Sequence, residues 1–354
     1  MNAEAVARFL IDHGHLSARD VVHGEVAISD SSARNTAFRI RRSTGPGLVF
    51  KRATSGGGPG FEPGFYALVR EEPTFGPLAA WVPTVFEAHD DTIVLELVGT
   101  GLTARAAAHG GTSDPTAAGL APRAAALGMA LATCHRITAT DKALRRRIPK
   151  MTPWAFRTVL PEVEDLAWLG PFQRETLRAI HRDPTVAPAL WERRRRWAFE
   201  SLTHGDVRWL NILLPTGDGV VLIDWEHAGI GDPAWDLASA WHAWLTHGIE
   251  TLPLASDTPL IEASRAFGEA LGPLSTQMAT CTTAYRTALG DEARGDAIVE
   301  RAAALLPFRL CQGAMEWARD RTTMTPFIAL TTQLAVNLVR RSARETLAVL
   351  GLPT

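Results

Sequence analysis

Two carboxylates and an amide carry the most chemistry in this chain, because they crowd into a segment that turns back on itself. The segment is SLTHGDVRWLNILLPTGDGVVLIDWEHAGIGDPAWDLA, Ser201–Ala238. Asn211–Leu214 and Val220–Asp224 are apolar β runs around the turn Pro215–Gly219, which predicts a hairpin. With Leu214 paired to Val221, Asn211 faces Asp224 at the open end. Asp206 lies five residues before Asn211, on the loop leading into that end. Mg²⁺ takes oxygen ligands and is usually held by one or two protein groups plus substrate phosphates. Phosphoryl transfer asks a protein for position and charge neutralisation, with a carboxylate beside the attacking hydroxyl. Asp206 suits that carboxylate, and Asn211 and Asp224 suit the metal. Taken singly, each also reads as a polar turn or cap residue.

These residues need a scaffold, and the chain predicts one in two parts. Ala5, Val6, Phe9 and Leu10 share a helical face over residues 3 to 12. Strand-like runs follow at Val21–Ile28, Thr36–Arg41 and Leu48–Arg52, the last two joined by the turn Ser43–Gly47. After the glycine-rich Ser55–Gly60 come a short helix at Phe65–Arg70 and strands at Val82–Ala88 and Thr92–Val98, with a turn at His89–Asp91. That makes about five antiparallel strands in the first hundred residues. Beyond Val98 the periodicity turns helical, after a loop at His109–Gly119. Helices are expected at Ala121–Cys134, Phe172–His181, Ala187–Phe199, Pro233–His247, Pro259–Leu271, Glu292–Arg319 and Ile328–Leu350. The expected fold class is α+β, with a small antiparallel β-rich lobe over 1–97 and a large, mostly helical lobe over 98–354.

At 354 residues the chain suits two lobes. A formal charge of −2 gives no basic field for nucleic acid or anionic lipid, so neither is expected as a partner. No apolar run approaches the ~20 residues that span a bilayer. Glu4, Arg8 and Asp12 interrupt the start too early for a signal-peptide core. A cytoplasmic protein is therefore expected, and widely spaced Cys134, Cys281 and Cys311 read as buried thiols. The eleven histidines show no HExxH or Cys/His spacing, so zinc is not expected. The run Trp191–Phe199, with four consecutive arginines, reads as a solvated helix face. Most of the eleven tryptophans read as core, though Trp209, Trp225 and Trp235 fall in the chemical segment.

HGDVRWLN, His204–Asn211, resembles the catalytic loop of the aminoglycoside phosphotransferase and choline kinase superfamily, relatives of the protein kinases. IDWE, Ile223–Glu226, resembles the family's metal-binding segment, and GDPAWDLA, Gly231–Ala238, the tail that follows it. The resemblance implies a bilobal protein-kinase-like fold, ATP and Mg²⁺. It implies Asp206 as catalytic base, Asn211 and Asp224 as Mg²⁺ ligands, and His204 as a loop-shaping residue. Asp236 becomes the buried aspartate that props the loop. Asp232 fits that pattern or a helix N-cap before Pro233. Lys51, on the third strand, resembles the lysine that contacts the α- and β-phosphates. Its glutamate partner would be Glu62 in FEPGFYAL, with Glu71 and Glu72 as alternatives at the other helix end. ISDSSARNTAF, Ile28–Phe38, takes the place of the glycine-rich loop. Ser31, Ser32 and Arg34 are phosphate-cradling candidates there, and the segment reads equally as a polar turn. Adenine would rest on the connection Leu95–Gly99, through the backbone around Glu96.

The family implies an alcohol acceptor and leaves its class open. One class is a small molecule, an antibiotic or a metabolite. The other is a Ser or Thr of a precursor peptide, which would bring in a separate lyase partner. A catalytically inactive kinase-like module that binds nucleotide or a partner is the alternative to an enzyme.

Overall fold

Helix α1, Ala3–Asp12, forms because Asn2 caps it, accepting from Ala5 N at 2.9 Å, and because Val6 and Leu10 have a sheet to cover. This is seen in a computed structural model that describes residues 1–32, 36–53, 61–99, 121–215, 217–319, 321 and 323–353. Two units are distinguished, Met1–Gly110 with Leu210–Ala228, and Gly111–Trp209 with Gly229–Thr354. Ser55–Gly60, Arg34 and the expected loop at His109–Gly119 lie outside the described residues.

In the first unit five antiparallel strands order as β1-β2-β3-β5-β4: β1 Val26–Asp30, β2 Thr36–Arg42, β3 Leu48–Arg52, β4 Val85–His89 and β5 Thr92–Glu96. Phe38 pairs with Phe50 and Ile40 with Leu48, so alternate residues build one apolar face. Val6, Leu10 and Leu16 pack onto that face with Phe38, Ile40, Leu48, Phe50 and Val94. The expected start of the first strand at Val21 is corrected. Ser17 and Asp20 form a reciprocal capping box, which makes Ala18–Val22 a helical turn, α2, and delays the strand to Val26. Helix α3 runs Glu62–Glu71, longer than expected.

The hairpin pairs β7 Ile212–Leu213 with β8 Val221–Leu222. Val221 opposes Leu213 rather than Leu214, one residue away from the expected register. Ile223 N donates to Asn211 O at 3.0 Å, so Asn211 stands opposite Ile223 and not Asp224. Val98, Leu213, Val221 and Ile223 fix this register by packing together.

The second unit is helical. The helix Leu260–Leu289 runs straight through Pro273, where the sequence suggested a stop. Beyond that point it packs closely on the helix Ala121–Ile137, where a Cβ on Gly128 would overlap the Cys281 carbonyl. The expected helix Ile328–Leu350 is two, Pro326–Val339 and Ala343–Val349, because Ser342 and Glu345 form a capping box between them. The helix expected to reach Phe199 ends at Arg195. Within its arginine run, Arg193 is not solvated. Its guanidinium donates to the carbonyls of Val339 at 2.8 Å, Arg341 at 2.9 Å and Ala304 at 3.3 Å. Burial lowers its pKa to about 10, so it stays charged near neutrality. Val339 is the last residue of the helix Pro326–Val339, so Arg193 satisfies a carbonyl that the helix end leaves open. Arg193→Ala is expected to cost about 2–3 kcal/mol of stability, read from denaturant midpoints, with Arg195→Ala near zero.

Candidate active site

Lys51 is the hub of the first unit's polar groups. Phe50 points into the core, so alternation turns Lys51 to the other face of β3. Its ammonium donates to Glu62 Oε1 at 2.8 Å, Glu62 Oε2 at 2.7 Å and Asp224 Oδ1 at 2.8 Å. Among the three glutamates weighed from sequence, Glu62 is the one the fold brings to the lysine. It stands at the first position of α3, with Pro63 after it. Proline is tolerated there because that N–H has no helical partner, and the helix N-terminus favours the carboxylate. Glu71 and Glu72 sit at the opposite end of the helix. Burial alone would depress the Lys51 pKa. The Glu62 and Asp224 carboxylates outweigh it and hold the ammonium above the ordinary lysine range.

Asp224 reaches Lys51 through an unusual backbone. It has φ 68 and ψ 59, the left-handed region, one of two such non-glycine residues among those described. Aspartate tolerates that region better than most residues. The turn that follows is pinned by Trp225, whose ring stacks on Phe65 of α3 with centroids 3.9 Å apart and planes 9° apart. Trp225 Nε1 also donates to Leu222 O at 3.1 Å. One aromatic pair thus ties the element carrying Asp224 to the helix carrying Glu62. The sequence showed Trp225 beside the aspartate but gave no sign of its partner.

In the second unit Asp236 organises the loop that bears Asp206. The side chain of Asp236 is fully buried and accepts from His204 N at 2.7 Å and Gly205 N at 2.9 Å. His135 Nε2 stands 3.1 Å from the same carboxylate. Trp235 Nε1 donates to Gly205 O at 2.9 Å, and Asp206 N donates to His204 Nδ1 at 3.2 Å. Gly205, at φ 84, makes the bend. Asp232 proves to be an N-cap, accepting from Ala234 N at 3.0 Å, and it also pairs with Arg301.

Asp206 is mostly buried and has cations on both carboxylate oxygens. Arg208 Nε lies 2.9 Å from Oδ2, and Arg309 Nη2 lies 3.7 Å from Oδ1. Arg309 is only 2% exposed. Near them lies His242, its ring seated against Gly313, where a Cβ would overlap it. Burial pushes the His242 pKa far down, and Arg309 and Arg208 push the same way, so the ring is neutral. Among the described residues, Arg309 Nη1, both His242 ring nitrogens and Gln312 Oε1 are buried with no hydrogen-bond partner. Buried polar atoms in folded proteins are usually hydrogen-bonded. Arg309 and His242 were missed from sequence; the one signal was an arginine inside the apolar run Leu305–Cys311.

Ser31 and Ser32 occupy the β1–β2 connection. Ser32 Oγ accepts from Ala37 N at 2.9 Å, and both hydroxyls lie 3.2 Å from Ala37 O. Ser32 N donates to Asp30 Oδ1 at 2.7 Å. Their side chains hold the turn. Glu96 ends β5, and its carboxylate accepts from Thr84 Oγ1.

A family model described as the phosphotransferase enzyme family matches residues 30–278. No curated protein matches. Choline kinase from Cryptosporidium parvum superposes with TM-score 0.55 at 10% identity, covering 99% of this chain and 97% of that one. Ethanolamine kinase from Plasmodium vivax superposes with TM-score 0.50 at 10% identity, covering 95% and 89%. Likeness at that identity speaks for the fold, which is protein-kinase-like and α+β. The family match takes in strands β2 to β5, Lys51, Glu62, the HGD loop, the hairpin and the helix Pro233–Glu250, and the chain belongs to the phosphotransferase enzyme family.

Proposed function

We propose that the protein moves the γ-phosphoryl group of ATP to a hydroxyl of a small neutral or acidic molecule, with Mg²⁺ as its metal. The observation that carries this is Lys51 held between Glu62 and Asp224. A lysine fixed by two carboxylates is a permanent, oriented cation, suited to the α- and β-phosphates. Asn211 and Asp224 offer hard oxygens, which fit Mg²⁺. Bound there, the ion supplies charge neutralisation on the phosphates. The backbone near Glu96 and the turn at Ser31 and Ser32 are proposed to border the nucleotide.

Asp206 is proposed as the base. It orients the acceptor hydroxyl and takes its proton as the oxygen bonds to the γ-phosphorus. The bond from that phosphorus to the bridging oxygen breaks, and ADP leaves. Arg208 and Arg309 bear on the acceptor's charge. Two guanidiniums stand beside Asp206, and Glu316 lies 3.9 Å from Arg208, so these charges balance and offer a polycationic aminoglycoside no excess of carboxylates. A hydroxylated molecule with acceptor atoms or a carboxylate would instead satisfy Arg309 Nη1. Three buried free thiols and an ATP donor go with a cytoplasmic setting.

The test is incubation with Mg·ATP and three panels: neutral and acidic alcohols, aminoglycosides, and Ser/Thr-rich peptides. Mass spectrometry should find a phosphoryl group on the first panel. Phosphorylated peptides would move the reading to a precursor-modifying kinase with a lyase partner. Mg·ATP binding without transfer to any acceptor would favour the inactive binding module.

A further inference from the structure

Four side chains that the phosphotransfer chemistry does not use meet at the junction of α1 and β4. His13 caps the C-terminus of α1, and His15 follows in the next turn. Glu87 and His89 lie two residues apart on β4, so they share a face of the strand. β4 is an edge strand, and its register shifts between Val85 and Glu87, an irregularity of the kind that re-aims side chains. His13 Nδ1 stands 2.7 Å from Glu87 Oε1, His89 Nε2 stands 2.6 Å from the same oxygen, and His15 Nε2 stands 2.6 Å from Oε2.

We propose that His13, Glu87 and His89 form a binding site for a divalent transition metal, zinc by preference, which fastens the first helix to the edge of the sheet. One ligand atom from each of the three lies within 4.8 Å of the other two. Tetrahedral zinc, with bonds of about 2.0–2.2 Å, needs its ligand atoms about 3.3–3.6 Å apart. Small side-chain rotations close that difference. Two imidazoles and a carboxylate are zinc ligands, and the nitrogens select against Mg²⁺ and Ca²⁺. Three protein ligands leave the fourth position to water. His15 completes the arrangement as an outer partner that orients Glu87 by its other oxygen.

The surroundings support this. Glu87 is 10% exposed in its side chain, while His13 is 36% and His89 is 55% exposed. The carboxylate is thus anchored inside and the imidazoles open to an arriving ion. Phe9 stacks on His13 with centroids 3.9 Å apart and packs edge-on against Phe50, which sets the ring from the core side. Among the described residues Asp90 also faces the cluster, 3.9 Å from His89 Nδ1. No HExxH spacing could announce this site, because its halves lie more than seventy residues apart.

The experiment uses the full chain, stripped with chelator and dialysed against micromolar zinc. Elemental analysis should find about one zinc ion per chain in the parent and in His23→Ala, a surface control. Glu87→Gln and His89→Ala should weaken binding at least tenfold, and His15→Ala about 10- to 100-fold, as for outer partners. Cobalt added to the parent should give visible tetrahedral d–d bands that Glu87→Gln lacks, and zinc should raise the melting temperature of the parent but not of His89→Ala. A parent that retains no zinc and gives no cobalt bands would overturn the proposal. So would variants that all keep the metal. Neither result bears on the phosphotransferase reading, which uses none of these residues.

Discussion

Asp206→Asn is expected to slow phosphoryl transfer about 10²- to 10⁴-fold while leaving the dissociation constant for Mg·ATP within about twofold of the parent. The amide keeps the shape of the carboxylate, so the loop bent at Gly205 and tied to Asp236 should persist. What goes is a proton acceptor and the counter-charge to two guanidiniums. Arg309 is the more exposed to that loss energetically, since it is buried and stands 3.7 Å from Asp206. A buried cation deprived of its partner costs stability, so the melting temperature should fall as well. That effect must be separated from catalysis. Arg309→Met serves the purpose, because it removes the buried cation and leaves Asp206 in place. If Arg309→Met retains turnover at saturating acceptor, with only its KM raised, and Asp206→Asn does not, the proton role is isolated. Turnover of Asp206→Asn at the parental rate, at saturating ATP and acceptor, would remove Asp206 from the base's position.

Much of this site could be seen in the sequence, and what could not has physical causes. Lys51 and Glu62 were within reach because the family resemblance has short local carriers, an apolar strand ending in lysine and a glutamate three residues before an aromatic pair. The hairpin that carries Asn211 and Asp224 is present, but in a register one residue away from the expected pairing. A two-residue ladder has little in its own sequence to fix register. The packing of Val98 on Leu213 and Val221, from another part of the chain, decides it. Two of the missed helix boundaries differ in kind. Ser342 with Glu345 was a legible capping signal, passed over inside a long apolar period. The persistence of a helix through Pro273 was not legible, because the contacts that hold that helix come from far off in the chain, as where Cys281 packs on Gly128. Arg309, His242 and the histidines around Glu87 share that second cause. Their partners are distant in sequence, and no spacing rule joins them.

The second large effect is expected at Asp224, and its backbone allows a clean test. Asp224→Ala removes the carboxylate but also puts an ordinary residue at φ 68, at a cost of roughly 1 kcal/mol. Asp224→Gly removes the same carboxylate and is comfortable in that conformation. If the aspartate serves only to make the turn, the glycine variant should be nearly parental in activity. If it serves as a metal ligand, both variants should lose transfer by at least about 10³-fold, taking a lost transition-state charge contact as about 4 kcal/mol. The second outcome is expected. Nucleotide affinity supplies the deciding comparison. Parent protein should bind ATP more tightly with Mg²⁺ than without, whereas Asp224→Gly should bind it equally in both, since Asn211 alone is a neutral ligand. Lys51 should still hold its pair with Glu62 in either variant, at 2.8 and 2.7 Å now, so the ammonium remains available to phosphate. Residual Mg²⁺-independent binding is therefore expected to survive, and to vanish only when Lys51→Met is added. Persistent Mg²⁺ dependence in Asp224→Gly would assign the metal to other oxygens and leave Asp224 with the lysine alone.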